Sequence, residues 1–487
     1  MEFPRRNIPP MRRARQRLNT THIADVEQRT ADKLRAAGIR KLVQPGARIA
    51  ITAGSRGIGG CNELLKGILG ALKDCGAKPF LVPAMGSHGG ATAEGQKELL
   101  RRLDVDPREI GAEIRTTMET DCLGASRSGA QAHIDKLAHA ADGVIVLGRV
   151  KTHPENTAGI ASGLLKMVTV GLGKQAGAQE AHSHRLWESV KAVPEVTLAT
   201  GKIRLGVAVV ENAFRQPVEI EVVPGNYDAF YQADERLLRI AKQHFANLPF
   251  QNLDLLIVDE IGKNVSGTGM DLNVIGPWRV KGGGEKKPDY KRIVALSLTP
   301  GSMGNGLGIG LADFTTERFA RAYDPHATWI NLLTASEPGA RNTVEGPLPL
   351  ALASDREAIE VALYSCLGTN PRVCRIQNTA SLHEFWISES LTEEGTEIGD
   401  HRFRARLLIQ QERQPVLIAF LDILSGSCLS KMTKYNDQLI LSNPNVQIQK
   451  DLRGFRSSCA ILDFSPESKI YLSRMGAPAC LPAFIES

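Results

Sequence analysis

Three histidines and one lysine occupy positions where side-chain chemistry could be concentrated. His88 lies in the segment "MGSHGGAT", and His153, Lys166 and His182 follow within one continuous stretch of the chain. Imidazole gains and loses a proton near neutral pH, which suits it to general acid–base catalysis. A lysine held away from water has a lowered pKa and can act as a nucleophile. These residue types indicate proton transfer beside a reactive lysine.

The sequence around Lys166 is unusually apolar, since it reads "SGLLKMVTVGLG". A buried Lys166 would be desolvated and nucleophilic. A lysine at a helix surface would instead lay its stem on apolar groups and keep its ammonium in water. The residues alone leave both interpretations open.

The elements that would position these residues alternate between apolar runs, polar or glycine-rich loops and helical patterns. The runs that show this alternation are 47–57, 77–90, 141–153 and 203–214. They predict an α/β fold with a largely parallel sheet and helices on both faces. Ligands of such folds bind beyond the carboxyl ends of the strands. His88 and His153 both follow strand ends, which favours a shared site over two isolated structural histidines.

A second set of strand-like runs begins near residue 245, and its members are 253–264, 290–301 and 327–336. A helical pattern in residues 231–248 connects the two sets. We therefore predict two α/β domains with largely parallel sheets, residues 21–240 and residues 241–395, with an active-site cleft between them. Residues 396–487 lose this rhythm, and no function is assigned to them.

Composition and charge restrict the class of protein. The chain has 487 residues and a net charge of +6, and residues 1–20 contain six arginines and one glutamate. We interpret this basic arm as a solvated, poorly ordered terminus rather than a nucleic-acid-binding segment. No apolar run approaches the roughly 18 residues of a membrane span. The cysteines form no C-x-x-C pair, so we expect reduced thiols in a cytoplasmic protein without nucleic-acid or membrane partners.

The glycine-rich turn "ITAGSRGIGG", residues 51–60, resembles the turn with which short-chain dehydrogenases bind a nicotinamide dinucleotide. Those enzymes also use a Tyr-x-x-x-Lys pair, in which the lysine lowers the pKa of the tyrosine. None of the seven tyrosines has a lysine four residues later. The next strand ends in Val82 and Pro83, where no acidic residue could bind a ribose. An NAD(P)-dependent oxidoreductase therefore stays as an alternative that lacks its catalytic pair.

The stretch from His153 to His182 resembles the nickel-pincer-nucleotide enzymes of the lactate racemase family. The shared pattern is a histidine, an "SG-x-x-K-M" element, a "GLGKQ-x-GA" element and a further histidine. The two elements are "SGLLKM" and "GLGKQAGA" in this chain. The segments "GSHGGAT" and "AGSRG" are also similar to family segments, and 259–276 and 305–319 resemble motifs of its second domain. The resemblance covers about residues 15–395.

The resemblance implies a covalently bound cofactor. Lys166 would hold a nickel-pincer nucleotide, the nickel pyridinium-3,5-bisthiocarboxylic acid mononucleotide, through a thioamide. His182 would be the protein ligand of the nickel (Ni), since imidazole suits nickel(II). The spacing from Lys166 to His182 fits the family and favours His182 over the nearby His184. Cofactor-biosynthesis proteins are implied as partners.

The resemblance also assigns the residues that face the substrate. His88 and His153 would be the paired acid/base residues. Arg56 would bind the substrate carboxylate, a planar anion that a guanidinium holds with two hydrogen bonds. Lys263 would contact the substrate from the second domain.

The reaction implied is the racemisation or epimerisation of a small-molecule 2-hydroxyacid. Loss of the hydroxyl proton and of a hydride from Cα gives a planar 2-ketoacid, and the hydride can return to either face. One base beside each enantiomer's hydroxyl explains the two histidines. Glu260 stands where lactate racemases have glutamine, so the substrate's own side chain is left open. A non-catalytic protein that binds a nucleotide or a hydroxyacid is a second alternative.

Overall fold

The computed structural model describes residues 2–55, 57–153, 159–280, 283–335 and 343–392, together with short strands within residues 408–474. The chain divides into two compact units, residues 1–412 and residues 413–487. The first unit contains two large β-sheets with helices. None of the described helices is long and apolar enough to cross a membrane.

The strands of the first unit are β1 (Met11–Arg15), β2 (Arg48–Ala53), β3 (Lys78–Pro83), β4 (Glu113–Ile114), β5 (Thr120–Ala125), β6 (Gln131–Asp135), β7 (Gly143–Arg149), β8 (Ile203–Glu211), β9 (Pro217–Pro224), β10 (Asn252–Ile261), β11 (Asp289–Leu298), β12 (Phe314–Thr316), β13 (Leu350–Leu352), β14 (Val373–Ile376), β15 (Glu384–Ser388) and β16 (Leu408–Ile409). The helices are α1 (Val26–Ala36), α2 (Ile39–Leu42), α3 (Cys61–Lys73), α4 (Ala93–Arg102), α5 (Pro107–Ile110), α6 (Lys136–His139), α7 (Leu164–Lys166), α8 (Lys174–Ser183), α9 (Leu186–Ala199), α10 (Tyr227–His244), α11 (Leu272–Ile275), α12 (Glu317–Ala322), α13 (Pro325–Ala335) and α14 (Asp355–Tyr364).

The first sheet has six strands in the order β4-β3-β2-β7-β8-β9. Neighbouring strands are parallel except β8 and β9, which pair antiparallel. Because β2, β3 and β7 run in one direction, their carboxyl ends at Ala53, Pro83 and Arg149 lie at the same end of the sheet. This part of the chain confirms the predicted α/β class with a largely parallel sheet.

Both faces of the first sheet are buried, because successive residues of a strand point to opposite sides. In β2, Ile49 and Ile51 join an apolar cluster with residues of α1 and α3. Ala50, between them, joins a second cluster with residues of α7, α9 and α10. Continuous apolar strands covered on both sides are typical of parallel sheets. The sheet is therefore a rigid base for the loops at its carboxyl end.

The second sheet has eight strands in the order β13-β12-β11-β10-β14-β15-β1-β16. The five strands from β13 to β14 are parallel, and β15, β1 and β16 add antiparallel pairs. The predicted runs 253–264 and 290–301 correspond to β10 and β11. The second part of the chain therefore also has the predicted class, with an antiparallel edge.

The basic N-terminal arm is not a poorly ordered terminus, so that interpretation is wrong for its central part. Residues 11–15 form β1, which pairs antiparallel with β15, and Ala14 is fully buried. Arg13 and Arg15 both lie 2.5 Å from the carboxylate of Glu384 in that partner strand. The arginines are neutralised by a strand far along the chain, a partner that local charge patterning does not reveal.

The run 327–336 was predicted as a strand, and this prediction is wrong because residues 325–335 form helix α13. The Asp324 carboxylate accepts the N–H groups of His326 and Ala327, at 2.8 and 3.1 Å, as a helix N-cap. Pro325 then occupies the first helical position, where its missing N–H costs nothing. These start signals precede the apolar run and outweigh its strand-like composition.

In the second unit, the described residues form two antiparallel pairs, β17 (Met432–Tyr435) with β18 (Gln438–Leu441) and β19 (Ala460–Phe464) with β20 (Ile470–Arg474). Most of residues 396–487 lie outside the described residues. The boundaries at residues 240 and 395 stay predictions.

Candidate active site

His88 lies in the loop after β3, beside the loop after β2. Its Nδ1 is 2.6 Å from the side-chain oxygen of Ser55. The two loops meet because β2 and β3 are parallel neighbours that end together. A hydrogen bond at Nδ1 orients the imidazole and sets the tautomer of its neutral form.

Lys166 is the last residue of the short helix α7, which begins against a buried carboxylate. Asp234 of α10 is 1% exposed, and its oxygens accept the N–H groups of Leu164 and Leu165 at 2.8 and 2.9 Å. Gly163 is required beside it, because a Cβ there would lie 2.3 Å from Asp234 Oδ1. Burial raises the pKa of Asp234 to about 7, although the two N–H groups act to lower it. This carboxylate defines where the helix that carries Lys166 begins.

The side chain of Lys166 shares an aromatic neighbour with His153. Lys166 Nζ is 5.0 Å from the centroid of the Trp187 ring, and the His153 ring meets the same indole edge-on at a centroid distance of 4.8 Å. A cation at this distance is attracted to the face of the ring. Lys166 is half-buried, so it is neither fully desolvated nor a surface lysine in water. Trp187 brings the lysine and one histidine into one group.

The pKa of His182, on α8, is affected by the charge of the same lysine. Burial, and after it the charge of Lys166, lower the pKa of His182 to about 4. Its imidazole is therefore neutral at pH 7 and carries a lone pair suited to a transition metal. His184 has different neighbours, because its Nδ1 lies 3.0 Å from the carbonyl oxygen of Glu180 and a Cβ on Gly129 would lie 3.2 Å from its ring.

The loops after β2 and β3 pack directly on the segment that carries Lys166. A Cβ on Gly54 would lie 3.2 Å from Met167 Cε, and a Cβ on Gly86 would lie 3.2 Å from Val170 Cγ1. Met167 and Val170 belong to a π-helical turn, Met167–Gly171, that continues α7. Turns of this kind are frequent at functional sites. Close approach of two glycines is what lets the strand ends reach this segment.

Four of the predicted site residues, His88, His153, Lys166 and His182, thus lie in one region beyond the carboxyl ends of the first sheet. Arg56 lies outside the described residues. Within the part of the chain that the structure describes, no group of three or more His, Cys, Asp or Glu side chains is placed to hold a metal ion. A nickel site with one histidine ligand would not form such a group.

Lys263 follows β10 in the second sheet, and its own loop holds it. Its backbone N–H donates to Ser302 Oγ at 2.7 Å, and its ammonium donates to the carbonyl of Gly267. The guanidinium of Arg215, which follows β8 of the first sheet, lies 3.5 Å from the carbonyl oxygen of Asn264. Arg215 therefore links the Lys263 loop to the first sheet.

In the glycine-rich turn after β2, the backbone of Gly59 faces protein groups. The N–H of Gly59 donates to the carboxylate of Glu211, which also pairs with Arg149 at 2.7 Å. A Cβ on Gly59 would lie 1.5 Å from the carbonyl oxygen of Arg215. A dinucleotide-binding turn instead directs its N–H groups and its glycines at a pyrophosphate. A carboxylate and a carbonyl at this position would repel that anion, which argues against the NAD(P) alternative.

Three residues of this region were missed among the sequence candidates: Ser55, Trp187 and Asp234. Ser55 gave no separate signal, because the glycines around it indicate only a turn. Trp187 has the pattern of an ordinary core aromatic at the start of a helix. Asp234 left a readable signal, because it stands on the apolar face of α10 with Phe230 and Leu237. A carboxylate on a buried helix face needs a partner.

Comparison with known proteins finds a match to a family model in the N-terminal part of the chain. Residues 4–193 match the family model of the lactate racemase N-terminal domain. The chain is also similar to the solved structure of the lactate racemase apoprotein from Thermoanaerobacterium thermosaccharolyticum, at 12% sequence identity and a TM-score of 0.40, over 72% of this chain and 85% of that one. No curated protein matches the sequence.

Proposed function

We propose that this chain, whose residues 4–193 match the lactate racemase N-terminal domain, is a racemase or epimerase of a 2-hydroxyacid that uses a nickel-pincer nucleotide. The observation that carries the proposal is the grouping of three residues. Lys166 and His153 both contact the Trp187 ring, and the charge of Lys166 helps to lower the pKa of His182. This grouping combines a lysine for covalent attachment, a neutral imidazole for a metal and a second imidazole for proton transfer.

The residues fit the cofactor in their donor chemistry. Lys166 would hold it through a thioamide, and the amine is placed by a helix whose start is fixed by Asp234. His182 would ligate the nickel, and its different surroundings support it over His184. When bound, the cofactor would supply the hydride acceptor and donor of the reaction.

His88 and His153 would move the proton of the substrate hydroxyl. One imidazole would take this proton as the C–O bond becomes the carbonyl of a 2-ketoacid. The other imidazole would supply the proton when the carbonyl is reduced from its opposite face, which would give the other stereoisomer. The hydrogen bond between Ser55 and His88 supports this role, because a general base must be oriented before it can act.

The substrate carboxylate would be bound by Arg56 and by Lys263, which a short loop presents beside Arg215. Glu260 is the residue through which substrate choice would differ from that of lactate racemases. It accepts a hydrogen bond from Asn378 Nδ2 at 2.9 Å, so its carboxylate is held in place. A polar group on the substrate beyond C2 would suit this neighbour better than the methyl group of lactate.

The proposal is tested by coexpression with the cofactor-biosynthesis proteins. We expect a mass increase localised to the peptide that contains Lys166, and interconversion of one or more 2-hydroxyacids measured by chiral chromatography. His182→Ala should lower bound nickel at least tenfold, as measured by metal analysis, whereas the matched variant His184→Ala should retain it.

An active protein with unmodified Lys166 would contradict the proposal. Turnover of NAD(P)H in place of racemisation would instead support the oxidoreductase alternative. Tight binding of a hydroxyacid or nucleotide to the fully loaded protein, with no stereochemical exchange, would support the non-catalytic one.

A further inference from the structure

The "GLGKQAGA" element contains a buried lysine that has no part in the reaction proposed above. Lys174 is fully buried and opens helix α8 with a positive φ of 54°. A residue other than glycine in this conformation is uncommon and costs free energy, so it persists where its surroundings require it. Burial also lowers the pKa of the Lys174 ammonium, against the influence of Asp135.

The ammonium of Lys174 contacts three separate elements of the fold. It donates to the carbonyl oxygen of Pro83 at 2.5 Å, at the end of β3, and to Gln96 Oε1 at 3.0 Å, on α4. It also pairs with the fully buried carboxylate of Asp135 at 3.0 Å, at the end of β6. Two of these contacts are hydrogen bonds, and the contact with Asp135 Oδ2 is an ion pair without hydrogen-bond geometry.

Gln96 extends this network to the loop that carries His88. Its side chain is fully buried, and its Nε2 donates to the carbonyl oxygens of Gly86 and His88 at 2.9 and 3.2 Å. The amide thus accepts from Lys174 on one side and donates to the loop on the other. The side chains of Asp135, Lys174 and Gln96 thus form one continuous buried network, which ends at the backbone carbonyl of His88.

We propose that Lys174 and Gln96 are positioning residues that hold the loop carrying His88 against the segment carrying Lys166 and His182. Lys174 lies between Lys166 and His182 in sequence, so a shift of the segment would move the loop with it. The assignment of His88 to proton transfer rests on the proposed function, whereas the positioning itself follows from the contacts. A buried ion pair is a poor source of stability, because desolvation offsets its attraction.

The decisive variant is Gln96→Met, which removes the link to His88 but keeps the Lys174–Asp135 pair and adds no charge. We expect backbone amides of residues 86–92 to exchange with solvent about tenfold faster or more, as measured by hydrogen-exchange mass spectrometry. In the loaded enzyme, kcat should fall about 10–100-fold, because a small misplacement of a reacting group is costly. KM should change by less than about twofold, since no group that binds the substrate is removed.

Two controls separate positioning from general destabilisation. Lys97→Met changes the neighbouring exposed residue of α4, and Tyr290→Phe removes a buried hydrogen bond to Phe250 in the second sheet. Neither should change the exchange of residues 86–92 or kcat. If Gln96→Met does not fold, the charge-neutral pair Lys174→Met with Asp135→Asn takes its place and should give the same pattern.

Unchanged exchange of residues 86–92 in a folded variant would overturn the proposal, whatever its activity. Faster exchange with unchanged kcat would overturn the catalytic part of the positioning role. If the wild type racemises no 2-hydroxyacid, the proposed function fails, and the exchange comparison still decides whether Lys174 and Gln96 hold the loop.

Discussion

A hydroxyl from a neighbouring strand end helps to orient His88. Ser55 Oγ is 2.6 Å from Nδ1, and both residues are provided by loops that follow parallel strands. In a neutral imidazole one ring nitrogen carries the proton and the other has a free lone pair, and the hydrogen bond at one nitrogen sets which is which. Ser55 therefore influences which nitrogen of His88 carries the proton.

Replacement of Ser55 by alanine should reduce kcat by about tenfold, because the imidazole loses a hydrogen bond that orients it while keeping its proton-transfer chemistry. KM should be nearly unchanged. The matched control is Ser87→Ala, an exposed serine next to His88 in the same loop, which should behave as wild type. Racemisation kinetics on the loaded enzyme measure both variants. Equal kcat values for Ser55→Ala and Ser87→Ala would remove Ser55 from the site.

At the scale of elements, the short helix α7 is placed by a carboxylate from α10. Asp234 accepts two N–H groups that begin this helix, and Gly163 leaves the space that the carboxylate needs. Burial raises the pKa of Asp234 from 3.8 to about 7. The folded protein therefore favours the protonated acid more strongly than the unfolded chain does.

The pH dependence of stability follows from this raised pKa. The contribution of Asp234 is fully present below the unfolded pKa and is lost as the pH rises through about 7. Relative to Asp234→Asn, which cannot ionise, the wild type should lose about 2 kcal/mol of unfolding free energy between about pH 5 and pH 7, at about 1.4 kcal/mol for each pH unit.

Urea denaturation at several pH values measures this difference. The control is Asp228→Asn, an exposed position in the first turn of α10, which should show no such trend. Parallel stability curves for the wild type and Asp234→Asn would contradict the assignment.

At the scale of the whole molecule, the N-terminal segment completes the second sheet. β1 lies between β15 and β16, and Ala14 is fully buried in the core of that sheet. The strand that opens the chain is therefore held by residues more than 350 positions away. Its arginines form ion pairs with Glu384 of β15 and with Glu389, which directly follows that strand.

Deletion of residues 2–16 should lower the free energy of unfolding by about 3–5 kcal/mol, at about 1 kcal/mol for each backbone hydrogen bond lost. Denaturant titration followed by circular dichroism measures the change. Arg12→Ala, which removes only an exposed ion pair with Glu389, should cost less than about 1 kcal/mol. A deletion variant as stable as the wild type would show that β1 does not support the sheet.

Local patterns in the sequence predicted the alternating elements and the strand ends beside which the candidate site residues lie. The strand ends that precede His88 and His153 could be predicted from the sequence, because an apolar run followed by a polar loop is a local signal. The prediction of a strand at 327–336 was wrong, because it followed the apolar composition of this run and not the helix-start signal at Asp324 and Pro325. The roles of β1 and of Lys174 were not readable, because their partners are remote in sequence.

By itself, the sequence determined the α/β class, the pattern that resembles the lactate racemase family, and the residue types available for proton transfer and covalent attachment. Tertiary structure alone decided that Trp187 joins Lys166 to His153, and that Gly59 faces a carboxylate and a carbonyl in place of a pyrophosphate. The physical reason is that periodicity and spacing report on the backbone nearby. The partner of a hydrogen bond, an ion pair or a ring is set by how distant elements pack.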